Sequence, residues 1–238
     1  MKILYIFPHP DDESFGPAMG ISAQQREGHE VYLLTTTKGG ATKQRHKLGL
    51  SVEEMGEVRY KEMLEVEKVL GLAGMTVLDM PDSGMKEMDP RDIEKAIREE
   101  IEKIKPDIIV TYPVHGISGF HDHLVMHATV KSVYCQMKDD GAAYLKRLAF
   151  FTLDEAAAKK GNEKNVFNLN YTIDELIDCA TPVNEEDRQK MRYGLMCYKT
   201  YQEVIEKTGI SDIQGKKVHF EFYQEDVKPH VEDIAGGL

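Results

Sequence analysis

The sequence predicts a three-layer α/β fold with a mostly parallel sheet. Through the first 150 residues, apolar runs with strand character alternate with segments of helical periodicity, which is the pattern of βαβ units. The chain has 238 residues, 41% of them hydrophobic, and this suits one domain. Because no repeat or low-complexity linker divides the chain, we expect a single domain over 1–238. Residues 1–150 would form its core and 151–238 a smaller C-terminal cap.

The first predicted elements follow from apolar runs and the residues that stop them. Lys2–Phe7 is rich in Ile, Leu and aromatic residues and is stopped by Pro8, which predicts a buried strand. Glu13–Glu27 has several small residues and is expected to be a helix that Gly28 ends. The apolar run His29–Thr36 then predicts a second strand.

The middle of the chain predicts two long helices around a third strand. After a glycine-bearing loop that we expect to be mobile up to Leu50, Val52–Leu72 places apolar residues at helical spacing. Thr76–Met80 is the third strand. Arg91–Ile104 is the next helix, which an Asp-Pro pair opens and a proline stops.

The remaining elements are a strand, a helix and a strand, followed by a less regular C-terminal third. Asp107–Tyr112 predicts the fourth strand, His121–Met137 a helix after a glycine-bearing loop, and Arg147–Leu153 the fifth strand. Weaker patterns predict a short strand near Asn168–Thr172, a helix from Glu185 to Lys207 and a late strand at Val218–Tyr223.

Composition excludes several classes of partner. The net charge is −11 and no basic stripe is visible, so we expect no binding to nucleic acid. No apolar stretch approaches ~18 residues, so no membrane span is predicted. Cys135, Cys179 and Cys197 form no CxxC pair, and the amino-terminal apolar run is too short for a signal peptide. These features favour a cytoplasmic location, and a homo-oligomer stays open.

Two polar clusters follow strands that should be neighbours in the sheet. The segment His9–Glu13 comes directly after the first strand, and His121–His123 comes after the fourth. In an open α/β sheet of order 3-2-1-4-5, ligands bind where strands 1 and 4 meet, outside their carboxyl ends. We therefore expect both clusters to face one crevice.

The residue types in these clusters suit a metal-dependent hydrolase. Two imidazoles and one carboxylate with an open fourth position make a catalytic zinc site, and zinc lowers the pKa of its bound water to about 7. Asp11 and Asp12 are adjacent, so one can bind the metal while the other accepts a proton from the water. The alternative is that one of them caps the following helix. Glu13 is expected to support the site.

Other histidines offer alternatives to this ligand set. His123 and His127 are four residues apart, which puts them on one helical face, and both could be ligands. The favoured interpretation keeps His127 as a buried, hydrogen-bonded residue beside the site. His115 precedes the glycine-bearing loop and could reach the cleft.

The segment Pro8–Glu13, with the sequence PHPDDE, resembles the (A/P)HPDDE hallmark of the LmbE-like or PIG-L zinc N-deacetylases. The resemblance extends to Arg59–Glu62, Asp82–Met85 and Gly119–His123, over about the first 130 residues. It implies a Rossmann-like fold and one zinc ion per chain. Members remove N-acetyl groups, mostly from N-acetylglucosamine-type sugars that carry a lipid, inositol or malate aglycone. A small N-acetylated sugar is thus the implied substrate.

The same resemblance implies a role for each residue of the site. His9, Asp12 and His123 would be the zinc ligands and Asp11 the general base. The resemblance also implies that two further residues, Arg59 and Asp82, contact the substrate. For Arg59 the alternative is a salt bridge on a solvated helix face.

One position departs from the family pattern. The second block of the family is commonly HPDH, and here Phe120 stands where its first histidine belongs, with His121 in the proline position. We assign the acid or oxyanion-stabilising role to His121, with His115 and a weakened activity as the alternatives. Asp122 would orient a histidine, as carboxylates behind metal ligands do.

The sequence leaves two alternative functions open. A phosphoesterase-like metallohydrolase would hold two metal ions about 3.5–4 Å apart. A sugar- or nucleotide-binding protein on the same scaffold would lack full catalysis. The absence of GxGxxG after the first strand argues against dinucleotide binding.

Overall fold

A computed structural model describes residues 1–212 and 215–238. Its strands are β1 (Lys2–Phe7), β2 (Glu30–Thr37), β3 (Gly74–Met80), β4 (Ile108–Thr111), β5 (Arg147–Thr152), β6 (Cys179–Pro182) and β7 (Lys217–Phe222). They form one sheet in the order β3-β2-β1-β4-β5-β7-β6. The first five strands are parallel, and β7 and β6 join antiparallel. The predicted order 3-2-1-4-5 and the mostly parallel sheet are confirmed.

Helices cover both faces of this sheet. They are α1 (Pro17–Arg26), α2 (Gln44–Leu48), α3 (Val52–Leu70), α4 (Pro90–Ile104), α5 (His121–Asp139), α6 (Glu155–Asn162), α7 (Glu185–Cys197) and α8 (Gln202–Thr208). Side chains of α1, α3 and α7 contribute to the core on one face, and those of α4 and α5 to the core on the other. The predicted three-layer fold is therefore confirmed.

The central strand shows why the sheet is buried on both sides. Ile3, Tyr5 and Phe7 of β1 enter one core, while Leu4 and Ile6 enter the other. All five are fully buried, as expected of a parallel strand with helices on both faces. The apolar run at the start of the chain thus places the residues that follow it at the centre of one sheet edge.

Local signals fix the ends of the long helices. Ser51 accepts from the backbone N–H of Glu54, whose carboxylate accepts from the N–H of Ser51, so α3 begins with a capping box. Asp89 caps α4, with Pro90 in its first turn. Both helix starts agree with the sequence to within one residue.

The first helix starts later than predicted. Residues 10–16 form turns, and α1 begins only at Pro17, after Gly16. Gly16 makes no side-chain cap, so the alternative that Asp11 or Asp12 caps this helix is wrong. The stretch up to Leu50, expected to be a mobile loop, contains the short helix α2.

The C-terminal third departs most from the prediction. Residues 168–172 are not a strand, while α6 and β6 were not foreseen. The predicted helix Glu185–Lys207 breaks at Tyr198, whose backbone leaves the helical region (φ −79°, ψ 69°) and whose ring is fully buried. Two strands of this C-terminal third, β7 and β6, continue the sheet.

None of the helices in the described part of the chain combines the length and the apolar character that crossing a bilayer requires.

Candidate metal centre

The carboxyl ends of β1 and β4 bring the two predicted clusters together. His9 and Asp12 lie in the turns after β1, and His123 lies in the first turn of α5 after β4. One ligand atom from each of these three residues lies within 4.8 Å of the others. The structure therefore gathers the three predicted ligands at the switch point of the sheet.

His123 is held so that one ring nitrogen stays free. Its Nδ1 donates to the Gly116 carbonyl at 2.9 Å, and its ring stacks on Tyr112 with centroids 4.1 Å apart. The buried Nε2 has no hydrogen-bond partner among the described residues and lies 3.4 Å from Oδ1 of Asp12. A buried polar atom without a partner is costly, so this nitrogen is suited to a ligand.

The loop before α5 depends on a glycine. Gly116 has φ +61°, and a Cβ placed on it would lie 2.9 Å from Cβ of His123. A side chain would both strain the left-handed backbone and push against the residue that the Gly116 carbonyl holds. The glycine of the predicted glycine-bearing loop thus positions the third candidate ligand.

His9 is hydrogen-bonded through Nε2, whereas His123 is hydrogen-bonded through Nδ1. The Nε2 of His9 lies 3.1 Å from Oδ2 of Asp122 and 3.4 Å from Oδ1 of Asp82, while its Nδ1 lies 3.5 Å from Oδ2 of Asp12. The backbone N–H of Ser83 donates to the same Asp122 oxygen at 2.8 Å. Burial lowers the pKa of His9, but the hydrogen bonds with Asp12 and Asp122 outweigh it and raise the pKa to about 10.

These contacts fit a zinc site. Each histidine has one nitrogen hydrogen-bonded to an oxygen acceptor and the other facing Asp12, which is the arrangement that orients metal-binding imidazoles. Two nitrogens and one carboxylate oxygen, with room for a fourth ligand, are the donors of catalytic zinc. A second group, His9 with Asp82 and Asp122, also has metal-ligand spacing. Since it shares His9, it overlaps the first group.

Asp11 is fixed by an arginine from another element. Arg59 of α3 donates from Nη2 to Oδ2 of Asp11 at 2.5 Å and to the Pro10 carbonyl at 2.9 Å. Arg59 is only 3% exposed, so it does not lie on a solvated helix face. Asp11 has φ +82°, a conformation that costs free energy and occurs at functional sites. Burial raises the pKa of Asp11 to about 6, against the opposing charge of Arg59.

A buried network behind the site was not predicted. Oε1 of Glu13 accepts from Ser14 Oγ at 2.5 Å and from the hydroxyl of Tyr198 at 2.8 Å. Burial raises the pKa of Glu13 to about 7. The guanidinium of Arg59 lies 4.7 Å from the ring centroid of Tyr201, within cation–π range. Tyr198 and Tyr201 come from the C-terminal third, and no local sequence signal indicates these contacts.

The other candidate residues lie at varying distances from the three ligands. His121 is exposed at the start of α5 and lines the same cavity as the ligands. Phe120 is 50% exposed, with its ring centroid 5.5 Å from that of His123. His115 lies 3.5 Å from Thr172 Oγ1. Nδ1 of His127 donates to the Tyr112 carbonyl at 2.9 Å, as expected, although this residue is half-buried rather than buried.

The site opens into a large cavity of about 990 Å³. Its wall includes Asp11, Arg59 and Asp82, and it continues past Phe151 to residues of α6 and β7. Pockets that bind small molecules span roughly 300–1,000 Å³. The cavity therefore has room for a ligand larger than one sugar ring.

The fold and the site together define an α/β protein with a histidine–aspartate cluster outside the carboxyl ends of its central strands. The family model described as PIG-L, GlcNAc-PI de-N-acetylase, matches residues 4–134, more than half of the chain. The chain therefore belongs to the PIG-L family, which the PHPDDE block predicted.

Curated relatives are de-N-acetylases and amidases. A 1D-myo-inositol 2-acetamido-2-deoxy-alpha-D-glucopyranoside deacetylase of Thermomonospora curvata is 33% identical over 147 residues, which are 53% of this chain and 50% of that protein. A mycothiol S-conjugate amidase of Streptomyces coelicolor is 32% identical over 145 residues, 53% of this chain and 49% of that protein. The chain spans about half the length of these relatives.

Solved structures share the fold over nearly the whole chain. A deacetylase from the biosynthesis pathway of teicoplanin has a TM-score of 0.69 at 14% identity, covering 93% of this chain and 97% of its own. A 4-carboxy-2-hydroxymuconate hydratase from Pseudomonas putida has a TM-score of 0.65 at 11% identity, covering 93% and 94%. Because one fold supports different reactions, the function must be argued from the site.

Proposed function

We propose that this protein is a zinc-dependent N-deacetylase that removes an acetyl group from an N-acetylglucosamine-type small glycoconjugate, with one zinc ion per chain. The observation that carries the proposal is the free, buried Nε2 of His123 facing Asp12, beside His9. Membership of the PIG-L family and the inositol glucosaminide deacetylase among the relatives support the same reaction.

His9, Asp12 and His123 would hold the zinc ion. When bound, zinc supplies a Lewis acid that polarises the acetamide carbonyl and lowers the pKa of a bound water to about 7. Asp122 keeps His9 oriented through its Nε2 contact, and the Gly116 carbonyl does the same for His123. Both histidines are thus oriented by hydrogen bonds before the metal binds, which lowers the entropy cost of metal binding.

Asp11 is the proposed general base. It would take the proton from the attacking water as the water oxygen bonds to the carbonyl carbon. Arg59 positions Asp11 rather than contacting the substrate, since its Nη2 already donates to Asp11 and to the Pro10 carbonyl. This modifies the substrate-binding role that the family resemblance implies for Arg59.

The remaining roles concern the leaving amine and the sugar. His121 would give a proton to the nitrogen as the carbon–nitrogen bond breaks, which releases acetate and a free amino sugar. Asp82 would accept hydrogen bonds from sugar hydroxyls. It lines the cavity and is held by the backbone N–H of Ala41 at 2.7 Å.

The test is acetate release from a panel of N-acetylglucosaminides, with zinc-loaded wild type and Asp11→Asn compared. Loss of a general base lowers the rate by about 10²–10⁴-fold, and we expect that loss with zinc content unchanged. Asp79→Asn is the matched control, because its carboxylate is 78% exposed. Equal rates in wild type and Asp11→Asn would refute the role of Asp11.

The phosphoesterase alternative has one observation in its favour, the second ligand group at His9, Asp82 and Asp122. Metal analysis of the purified protein separates the two functions. One zinc per chain agrees with the deacetylase, whereas two ions with hydrolysis of a phosphate ester would replace it.

A further inference from the structure

We propose that the cavity contains a second binding region, built by the C-terminal third, which takes the anionic end of an apolar aglycone. We call it the lysine lobe and define it by Lys160, Lys164, Lys216 and Lys217, all of which line the cavity. The inference rests on the proposed function for the sugar at the metal centre and adds the chemistry of the group attached to that sugar.

The sheet topology separates the lysine lobe from the metal centre. The centre lies beyond β1 and β4, whereas Lys217 begins β7 and α6 follows β5. Because β7 runs antiparallel to β5 and Thr152 pairs with His219, the start of β7 lies at the same sheet edge as the end of β5. Three strand spacings from β1 to β7 amount to about 14 Å. The cavity therefore runs along the sheet edge from one region to the other.

The charges of the cavity wall are divided between its two ends. The metal end carries four aspartates, Asp11, Asp12, Asp82 and Asp122, and one cation, Arg59, which is paired with Asp11. The far end carries the four lysines, all exposed, with a single carboxylate, Asp154. Among the described residues, no carboxylate lies within 4.0 Å of Lys160, Lys164 or Lys216. In a chain of net charge −11, a group of four lysines beside one carboxylate favours an anionic ligand.

Apolar side chains line the path between the two ends. Phe120 lies edge-on to Phe167, with centroids 6.0 Å apart, and also contacts His123. Leu169 and Val218 continue this wall. Phe120 occupies the position where the family pattern has a histidine, so an aromatic surface replaces a polar one next to the metal centre. An apolar stem would bury this surface and gain free energy in proportion to the area covered.

The ligand that matches both features is an amphiphilic anion. Its apolar stem would follow the sugar, and a carboxylate or phosphate would reach the lysines. At about 1.2 Å per bond of an extended chain, a stem of roughly eight atoms crosses most of the distance left by the sugar. A neutral aglycone of the same length would fill the apolar path and leave the lysines without a partner.

The experiment compares three N-acetylglucosaminides, with an octyl, an 8-carboxyoctyl or an 8-phosphooctyl aglycone. Wild type is expected to bind the two anionic glycosides about tenfold more tightly than the octyl glycoside in titration calorimetry, and this preference should fall with added salt. In the triple variant Lys160→Gln/Lys164→Gln/Lys216→Gln, the preference should disappear, while binding of the octyl glycoside changes less than twofold. The carboxylate and phosphate arms show which anion is preferred.

The control is Lys68→Gln/Lys103→Gln/Lys159→Gln, which removes the same charge from exposed lysines that pair with carboxylates on their own helices. It should keep the preference. If the anionic and octyl glycosides bind wild type equally, or if the first triple variant keeps the preference, the lysine lobe is refuted. If charge-dependent binding is present but no glycoside is deacetylated, the proposed function fails and the lobe stands.

Discussion

At the residue scale, the hydrogen bonds of two histidines shape the candidate centre. His9 is bound at Nε2 by Asp122, and His123 is bound at Nδ1 by the Gly116 carbonyl. The strand order predicted that the clusters after β1 and β4 meet, and the family resemblance selected His9, Asp12 and His123 from them. The sequence could not predict which nitrogen is free, since that depends on a carbonyl and a carboxylate placed by tertiary folding.

Arg59 and Glu13 show a similar limit. The family resemblance over Arg59–Glu62 selected Arg59. Its contact with Asp11 crosses 48 residues of sequence, and its guanidinium packs against the rings of Tyr198 and Tyr201. Glu13 was expected only to support the site, and one of its two hydroxyl donors, Tyr198, lies 185 residues away. Contacts between such distant residues leave no local pattern in the sequence.

The proposed role of His121 as the general acid can be tested together with the neighbouring Phe120. We predict that His121→Ala lowers kcat for acetate release about 10²-fold, as expected for loss of a general acid. Adding Phe120→His to that variant should restore at least tenfold, because the new imidazole would lie where Phe120 now contacts His123. Steady-state kinetics with an octyl glycoside measure both effects. An unchanged kcat in His121→Ala would show that another residue is the general acid.

At the element scale, the buried strands were predicted best. The bounds of β1 agree with the sequence, because a parallel strand buried on both faces is a continuous apolar run that Pro8 stops. The start of α1 was predicted four residues too early. There the acidic residues favour a helix, but Asp11 has a positive φ and the turns extend to Gly16. Strand β6 (CATP) is short and lacks a typical strand composition, so it was missed.

The loop that leads into α5 gives a prediction at this scale. Gly116→Ala should lower the free energy of unfolding by about 1–2 kcal/mol, the cost of a left-handed backbone for an L residue. It should also weaken zinc binding about 10–100-fold, because the added methyl pushes against His123. Urea unfolding and competitive zinc titration measure the two effects.

Gly141→Ala is the matched control for this substitution. Gly141 also has a positive φ, +86°, but a Cβ there meets nothing within 4 Å. The Gly141→Ala variant should show a similar decrease in the free energy of unfolding and an unchanged zinc affinity. Equal zinc affinities in the two variants would show that the clash with His123 does not matter.

At the scale of the whole molecule, the C-terminal third is tied to the core by Arg147. This side chain is 1% exposed and donates to both carboxylate oxygens of Glu225, at 2.8 and 2.6 Å. It also donates to the carbonyls of Ile234 and Gly236. We propose on this basis that residues 1–238 form one domain, with no independent unit before or after residue 150.

Removing this contact should affect the entire fold. We predict that Arg147→Met lowers the free energy of unfolding by about 3 kcal/mol, because the hydrogen bonds of the buried guanidinium to Glu225 and to the carbonyls of Ile234 and Gly236 are lost. Unfolding should stay a single transition when followed by fluorescence and by circular dichroism. Two separate transitions would contradict the single domain. The control is Lys146→Met, at an exposed neighbour paired with Asp107. It should lower the free energy of unfolding by less than about 1 kcal/mol.

The site is built from residues that are far apart in the sequence, and this has a consequence for the order of events in folding. His9 and His123 meet only after β1 has paired with β4, and Glu13 accepts from Tyr198 only when that residue has been synthesised and docked. Pairing of strands that are distant in sequence is slow, because loop-closure entropy is lost before the contacts form. During translation, the nascent chain would therefore carry its first ligands through most of its synthesis without a competent site. Metal capture would mark the end of folding rather than start it.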